Sequence, residues 1–170
     1  LVSGDWPMQW STKYAFVADD PAKAAGQGDG LAGSQVLAVL APALKSSRST
    51  VTIISPYFVP GEAGTEALVD IARSGSEVRI LTNSLAANDV AAVYGGYSKW
   101  REPLLEGGVQ LWELKPTPGT TTKSSLFGSS GASLHTKALA VDGQVTFVGS
   151  YNLDPRSTSL NSEQGIFVES

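Results

Sequence analysis

Residues 134–152, LHTKALAVDGQVTFVGSYN, contain the side chains of this sequence that could act on a phosphate group. His135 is the single histidine of the 170-residue chain, and Lys137 follows two positions later. An imidazole can act as a nucleophile or as a general acid and base near neutral pH, and an ammonium group attracts phosphate oxygens. Ser150 and Asn152 add a hydroxyl and an amide that can donate hydrogen bonds. These four groups predict a site that binds and attacks a phosphate.

A tight hairpin is predicted to bring these groups together. Asp142 and Gly143 stand between two runs of strand-forming residues, and an Asp-Gly pair in that position favours a two-residue type I′ turn. Asp142 is therefore interpreted as a turn residue and not as a catalyst. Gly149 has no side chain and would let a ligand approach the backbone.

The turn also predicts which residues face one another across the hairpin. Side chains alternate along a strand, and directly paired residues share one face of the sheet. A two-residue turn therefore places the imidazole, ammonium, hydroxyl and amide groups at one end of one surface, and a slip of one residue would separate them. The predicted pairs are Lys137 with Val148, His135 with Ser150, and Asn152 with Ser133.

Composition limits the other kinds of site. The chain is 42% hydrophobic and 16% charged, which is typical of a globular domain. It has no cysteine and one histidine, so neither a disulfide nor a zinc site is expected. No apolar run reaches the roughly 18 residues that a membrane-spanning helix needs. The net charge of −4 argues against a dedicated nucleic-acid binder.

Strand-like and helix-like segments alternate through the middle of the chain. Short runs rich in β-branched residues are separated by segments in which apolar residues recur at helical spacing. This order predicts parallel βαβ units and an α/β fold. The predicted strands are 51–55, 77–82 and 109–114. The predicted helices are one capped by Ser34, one at 62–75 that ends at Gly75, and one at 88–108 that Gly95, Gly96 and Pro103 interrupt.

Two segments fall outside this pattern. Residues 1–30 are interpreted as an N-terminal segment and linker, and residues 31–170 as the domain that carries the chemistry. Residues 116–133 are rich in Gly, Ser and Thr, and are interpreted as a surface loop directly before the histidine. Because the chain starts at Leu1 and not at a methionine, we expect it to be a fragment of a longer protein.

The stretch around the histidine resembles the HKD motif of the phospholipase D superfamily. The flanking segments SPYFVPG, RILTNSLAANDVAAV and NLDPRSTSLNSEQGIFVES resemble the C-terminal half of bacterial cardiolipin synthases of the phospholipase D type. This resemblance implies an α/β/α sandwich around a mixed, largely parallel β-sheet. The spacing H-x-K-x4-D-x6-G-S-x-N is present in full, as His135, Lys137, Asp142, Gly149, Ser150 and Asn152.

The resemblance also implies a mechanism that uses no metal and no cofactor. One histidine attacks phosphorus and forms a phosphohistidine, and a second histidine protonates the leaving alcohol and then deprotonates the acceptor. Lys137 and Asn152 would stabilise charge on the phosphoryl oxygens, with Ser150 as a further phosphate ligand. Glu163, in NSEQG, matches the acidic residue that orients the histidine through its other ring nitrogen.

The implied reaction is transfer of a phosphatidyl group to a hydroxyl of phosphatidylglycerol, which makes cardiolipin. The implied partners are an anionic phospholipid and the surface of the bacterial cytoplasmic membrane, with peripheral attachment. Because the chain has one histidine, the second would come from a missing N-terminal HKD half or from a homodimer mate. His135 would then be the general acid and base, and the isolated chain is expected to be inactive as a monomer.

Two other classes of function compete with this interpretation. One is a phosphodiesterase that hydrolyses its substrate, either a lipase or a small homodimeric nuclease. The net charge of −4 and the total of 12 Lys and Arg residues make a nucleic-acid substrate unfavourable. The other is a non-catalytic scaffold domain of the same fold, which the complete motif argues against.

Overall fold

The protein is built on one seven-stranded sheet with the strand order β1-β7-β6-β5-β2-β3-β4. The computed structural model describes residues 10–26, 34–87, 91–115 and 134–170. The strands are β1 (Lys13–Ala18), β2 (Thr50–Ile54), β3 (Glu77–Asn83), β4 (Gln110–Leu114), β5 (Ala138–Val141), β6 (Val145–Gly149) and β7 (Gln164–Glu169). The helices are α1 (Pro21–Ala24), α2 (Gln35–Lys45), α3 (Gly61–Arg73), α4 (Ala91–Glu106) and α5 (Pro155–Ser159).

The predicted α/β fold with a mixed sheet is confirmed, but the sheet is not largely parallel. Only β2 with β3 and β3 with β4 are parallel pairs, and the other four neighbouring pairs are antiparallel. The parallel part is the predicted βαβ series, because α3 and α4 are the crossovers that parallel strands require. The rest of the sheet is antiparallel. A tight hairpin joins β5 to β6, β7 pairs with β6, and β1 pairs with β7.

The main core lies between one face of the sheet and helices α2, α3 and α4. Alternate residues of the strands point into this core, and buried residues of the three helices belong to the same cluster. Burying one such side chain contributes about 1.5–3 kcal/mol relative to leaving it exposed. The buried strand residues include Val51, Ile53, Val78, Ile80, Leu139, Val141, Phe147 and Phe167.

The other face of the described sheet is not covered by these helices. Four large apolar side chains on it, from four strands, are about half exposed or more. The second helical layer of the expected sandwich therefore does not cover them within the described ranges. These side chains are Phe16, Trp112, Val148 and Ile166.

Several local predictions for the helices are confirmed. The Ser34 hydroxyl accepts a hydrogen bond from the backbone N–H of Leu37 at 3.2 Å, as a helix N-cap does. Gly75 follows α3 with a φ of 102°, the left-handed conformation typical of the residue after a helix.

The predicted interruption at Gly95, Gly96 and Pro103 is wrong, since α4 runs through all three residues. A Cβ at Gly96 would lie 3.1 Å from Val59, so this glycine allows a close approach.

The first described strand belongs to the same sheet as the rest of the chain. Strand β1 pairs antiparallel with β7 along its whole length, from Lys13 opposite Glu169 to Ala18 opposite Gln164. Strand β1 falls within residues 1–30, which the sequence analysis interpreted as an N-terminal segment and linker. Residues 1–9 and 27–33 of that region lie outside the described residues, as does the predicted loop at 116–133.

The β5–β6 hairpin turns at the predicted place with a different register. Asp142 and Gly143 both have left-handed φ values, 54° and 66°, which fits the predicted turn chemistry. However, Val141 pairs with Val145, so the connection contains three residues instead of two. The additional residue, Gln144, uses its carbonyl to accept a hydrogen bond from the backbone N–H of Ser170 at 2.9 Å.

The three-residue connection shifts the register of β5 and β6 by one position from the predicted one. Ala138 lies opposite Val148, and the backbone N–H of Gly149 donates to the carbonyl of Lys137 at 3.1 Å. Lys137 therefore faces Gly149 and not Val148, so this predicted pair is wrong. His135 and Ser150 lie beyond the paired residues of β5 and β6, and their predicted pairing stays a prediction. The predicted pairing of Asn152 with Ser133 lies outside the described residues.

We predict that Gly149→Ala destabilises the fold because the ring of Phe147 occupies the space beside this glycine. A Cβ there would lie 2.7 Å from Phe147 Cζ and 2.3 Å from the carbonyl oxygen of Gln164. The free energy of unfolding, measured with urea, should fall by about 1–3 kcal/mol. Gly95→Ala is the control, because no atom lies within 4 Å of its added Cβ. Equal effects of the two substitutions would contradict the packing argument.

Candidate active site

Five of the predicted site residues meet at one end of the antiparallel part of the sheet. His135 and Lys137 lie directly before β5, Ser150 and Asn152 directly after β6, and Glu163 directly before β7. Because neighbouring antiparallel strands run in opposite directions, the start of one lies beside the end of the next. The sheet thus brings the imidazole, ammonium, hydroxyl, amide and carboxylate groups to the same edge.

The backbone before His135 is held by a residue that the sequence analysis missed. Asn83, the buried last residue of β3, accepts a hydrogen bond from the N–H of Leu134 at 2.9 Å through its Oδ1. Its Nδ2 donates to the carbonyl of Leu134 at 3.2 Å. The His135 side chain, one residue later, is exposed. A polar side chain at the carboxyl end of a buried strand was the available signal, since such strand ends often carry binding groups.

Lys137 is partly buried and keeps hydrogen-bonding capacity. Its Nζ donates to the carbonyl of His135 at 2.9 Å, and no ion pair of the described residues involves it. Burial lowers the pKa of this ammonium group, and the negative charges of Glu163 and Asp154 offset part of that effect. An ammonium group has three N–H donors, so two remain for an anionic ligand.

Asn152 presents an unpaired polar atom inside the site. Its side chain is 7% exposed, and its buried Oδ1 has no hydrogen-bond partner among the described residues. An unsatisfied buried polar atom costs about 1–3 kcal/mol, so this position favours a ligand that completes the hydrogen bond. Turning the amide by half a rotation exchanges its oxygen and nitrogen, which would present an N–H donor instead.

The backbone on both sides of the Asn152 side chain is fixed. Its N–H donates to the hydroxyl of Ser157 at 3.1 Å. The following N–H, of Leu153, donates to the hydroxyl of Ser55 at 3.3 Å, and the Leu153 carbonyl accepts from the N–H of Val59 at 2.7 Å. The loop after β2 and helix α5 therefore position this amide together.

Glu163 and Ser150 are bonded to each other. The Ser150 hydroxyl donates to the Glu163 carboxylate and accepts from the N–H of Gln164 at 3.0 Å. The carboxylate also accepts from Asn161 Nδ2 at 3.3 Å, and Glu163 is 6% exposed. Among the described residues no hydrogen bond joins Glu163 to the His135 ring. The orientation of His135 by Glu163, and phosphate binding by Ser150, stay predictions.

Asp142 ties the hairpin to the chain segment that leads into β2. Its carboxylate accepts hydrogen bonds from the backbone N–H groups of Arg48, Ser49 and Thr50 at 2.8–2.9 Å, and from the hydroxyls of Ser47 and Ser49. The N–H groups of Thr50 and then Arg48 hold the pKa of Asp142 well below its usual range. This residue performs a structural task at the opposite end of the hairpin from the imidazole.

Gly149 is constrained by packing within the protein. It pairs with Gly165 across β6 and β7, and the ring of Phe147 lies against both glycines. Phe147 itself packs on Phe167, with ring centroids 4.9 Å apart. The space that the sequence analysis assigned to an approaching ligand is filled by this aromatic ring.

Two further features of the described residues bear on the kind of site. Residues 10–26, 34–87, 91–115 and 134–170 contain no group of three or more His, Cys, Asp or Glu side chains that could hold a metal ion. Within the same ranges, no helix is long and apolar enough to cross a membrane.

The mixed sheet, with His135 and Lys137 at one end of the hairpin and Asp142 anchoring its turn, defines a phospholipase D-like domain. Residues 40–170 match the family model described as "Cardiolipin synthase, PLD-like domain", and the chain belongs to this family. It is 47% identical over 173 residues to cardiolipin synthase C of Escherichia coli (strain K12), a match that covers 100% of this chain and 36% of that protein. The chain thus spans about a third of the length of this curated relative.

Solved structures show the same fold at low sequence identity. Phosphatidylserine synthase of Haemophilus influenzae superposes with a TM-score of 0.66 at 19% identity, covering 92% of this chain and 34% of that chain. Nuc, a phospholipase D family member from Salmonella typhimurium, superposes with a TM-score of 0.63 at 16% identity, covering 93% and 84%.

We predict that Asp142→Asn lowers thermal stability in a pH-dependent way. A carboxylate whose pKa is depressed in the folded state stabilises that state above its unfolded pKa of about 3.9. This contribution is lost as the pH falls through the folded pKa. The difference in Tm between the wild type and the variant should therefore be largest near neutral pH and shrink below about pH 4.

The control is Asp70→Asn, on the exposed surface of α3, which removes the same charge without such a set of hydrogen bonds. Thermal unfolding followed by circular dichroism across the pH range provides the measurement. A Tm difference for Asp142→Asn that is the same at pH 3 and pH 7 would argue against the carboxylate as the anchor.

Proposed function

We propose that this chain supplies one half of the active site of a phosphatidyltransferase that makes cardiolipin. The observation that carries the proposal is the buried, unpaired end of the Asn152 amide, which presents an N–H donor once its oxygen and nitrogen are exchanged. It lies at the same sheet edge as Lys137 with its unused N–H donors. The similarity to cardiolipin synthase C supports a phosphatidyl group as the transferred group. The substrate is then an anionic phospholipid such as phosphatidylglycerol.

Lys137 and Asn152 are suited to bind a phosphodiester in two complementary ways. The ammonium group of Lys137 supplies positive charge, and hydrogen bonds to charged groups are worth about 1.5–3 kcal/mol. The Asn152 amide supplies a directed donor on a fixed backbone, which limits the reorganisation needed when charge develops on the phosphoryl oxygens. Partial burial of both groups strengthens these interactions because less water screens them.

The chemistry proceeds in two displacements at phosphorus. In the first, one imidazole nitrogen forms a bond to phosphorus, the bond to the leaving oxygen breaks, and a second imidazolium gives its proton to that oxygen. In the second, the now neutral second imidazole takes the proton of the acceptor hydroxyl, the new oxygen–phosphorus bond forms and the nitrogen–phosphorus bond breaks. Both histidines end in their starting protonation states, as covalent catalysis with an acid–base partner requires.

The second histidine must come from outside the sequence of this chain, because His135 is its only histidine. A longer protein with another HKD segment or a second copy of this chain would provide it. In the first arrangement we assign His135 the role of general acid and base, with Glu163 orienting the ring. The lipid substrate places the site at a membrane surface, and we propose peripheral attachment to the bacterial cytoplasmic membrane.

We predict that Asn152→Asp weakens the binding of inorganic phosphate by about 10–100-fold, since a hydrogen bond to a charged group is worth about 1.5–3 kcal/mol. The substitution keeps the shape of the side chain but puts a negative charge where the amide would donate. Gln144→Glu introduces the same charge at the exposed turn of the hairpin and should leave affinity nearly unchanged. Titration followed by NMR shifts of the backbone N–H groups at positions 137 and 152 measures both variants. Equal affinities for the two would remove Asn152 from the site.

We predict that turnover of phosphatidylglycerol requires more than one histidine. The chain should make no cardiolipin as a demonstrated monomer, and activity that appears on dimerisation or with an added HKD segment should vanish in His135→Ala. Light scattering combined with lipid product analysis provides the measurement. Cardiolipin formation by a monomer would contradict the two-histidine mechanism. Release of phosphatidic acid without cardiolipin would favour the hydrolase.

A further inference from the structure

We infer that the buried ion pair of Asp19 and Lys23 is a positioning device for the active site, which holds Asn152 and Glu163 in place through their backbones. The inference rests on the proposed function for its catalytic meaning. Its geometric part concerns two residues that lie outside the HKD motif, in the segment that the sequence analysis interpreted as a linker.

The pair is isolated from solvent. Lys23 Nζ lies 2.5 Å from Asp19 Oδ2, and the two side chains are 1% and 0% exposed. Burial alone would raise the pKa of Asp19, but hydrogen bonds from Lys23 and from the backbone of Val36 and Glu163 outweigh it and lower the pKa. The carboxylate is thus the form that this environment stabilises.

Asp19 fixes the chain at Glu163. Its Oδ2 accepts a hydrogen bond from the N–H of Glu163 at 3.1 Å, and its own N–H donates to the Glu163 carbonyl at 2.8 Å. Its Oδ1 accepts from the N–H of Val36 at the start of α2, at 3.1 Å. One side chain therefore connects the end of β1, the first turn of α2 and the residue that precedes β7.

Lys23 fixes the chain at Asn152 through one intermediate residue. Its Nζ donates to the carbonyl of Ser157 at 2.8 Å, and the Ser157 hydroxyl accepts the N–H of Asn152 at 3.1 Å. The N–H of Ser157 in turn donates to the carboxylate of Asp154 at 2.7 Å. Lys23 is therefore connected to the backbone N–H of Asn152 by two hydrogen bonds that both involve Ser157.

A contribution to folding stability does not by itself explain the presence of a buried Asp19–Lys23 ion pair. Replacing a buried ion pair by apolar residues of similar volume is often neutral or stabilising, because burying charges costs several kcal/mol for each ion. Removing one partner is different, since it leaves a buried charge uncompensated and costs about 3–5 kcal/mol. An apolar pair could not supply the directed hydrogen bonds that the Asp19 and Lys23 side chains make to the backbone of the site.

The different effects of removing one charge and of removing both allow two roles of the ion pair to be separated: positioning the site and stabilising the fold. Lys23→Met removes one charge and should lower both stability and phosphate affinity. The double variant Asp19→Asn with Lys23→Met leaves no buried charge and should recover much of the stability. It still lacks the N–H that Lys23 donates to Ser157, so its affinity for inorganic phosphate should stay about tenfold or more below that of the wild type.

Three measurements on the whole chain test the inference. Urea unfolding gives stability, NMR titration with inorganic phosphate gives affinity, and amide hydrogen exchange reports the N–H groups of Asn152 and Glu163 directly. In both variants these two amides should lose protection more than the amides of β2. Ser157→Ala, which leaves the ion pair intact, should expose Asn152 selectively.

The control for a general loss of stability is Gly107→Ala, far from the site, where a Cβ would lie 2.3 Å from a methyl group of Val69. It should destabilise the chain without reducing phosphate affinity. If the double variant recovers wild-type affinity together with its stability, the positioning role is overturned. If Lys23→Met does not fold, the double variant and Ser157→Ala still decide the question.

The outcomes also distinguish this inference from the proposed function. A wild-type chain that binds no phosphate would refute the proposed phosphate site, while selective loss of protection at Asn152 and Glu163 would still support the geometric role of the pair. Unchanged protection at both amides in the double variant, with phosphate binding intact, would refute the inference alone.

Discussion

Strand β6 pairs antiparallel with β5 on one side and with β7 on the other, and the candidate site depends on this arrangement. It places the start of β5, the end of β6 and the start of β7 at a single edge, where the five candidate site residues lie. The pairing is tight because Gly149 and Gly165 face each other beneath the ring of Phe147. A side chain at either glycine would separate the strands and move the groups that they carry.

Around this edge, the functional residues are held mainly through their backbones, which leaves polar side-chain atoms available. Asn83 binds the backbone of Leu134, Ser55 binds that of Leu153, and Ser157 binds that of Asn152. Each such hydrogen bond contributes about 0.5–1.5 kcal/mol. Together they keep Lys137 and Asn152 ready for a ligand, with a buried amide oxygen that no described residue satisfies. Preorganisation of this kind is what the proposed phosphoryl transfer would require.

The HKD motif contains candidate site residues and a structural residue at fixed spacing, because they lie at opposite ends of the same strand. Lys137 and His135 lie at the open end of the hairpin, where the candidate site is, whereas Asp142 anchors its turn to the backbone before β2. Four residues lie between Lys137 and Asp142, and the five steps of extended chain that join them correspond to about 17 Å. The spacing is thus the length of a strand between a functional edge and a structural anchor.

The sequence by itself determined the features that depend on neighbouring residues. It predicted the turn at Asp142 and Gly143, the cap at Ser34 and the βαβ series, because these follow from local conformational preference and periodicity. The two-residue register from which the sequence predicted the cluster of site residues is wrong. Only the tertiary structure decided the three-residue connection, since Gln144 bonds to Ser170 at the far end of β7. It likewise decided the roles of Asn83, Asp19 and Lys23, whose partners at the site lie 51 to 144 residues away along the chain. Contacts over such separations leave no period or spacing in a single sequence, and they appear only when the sheet brings distant segments together.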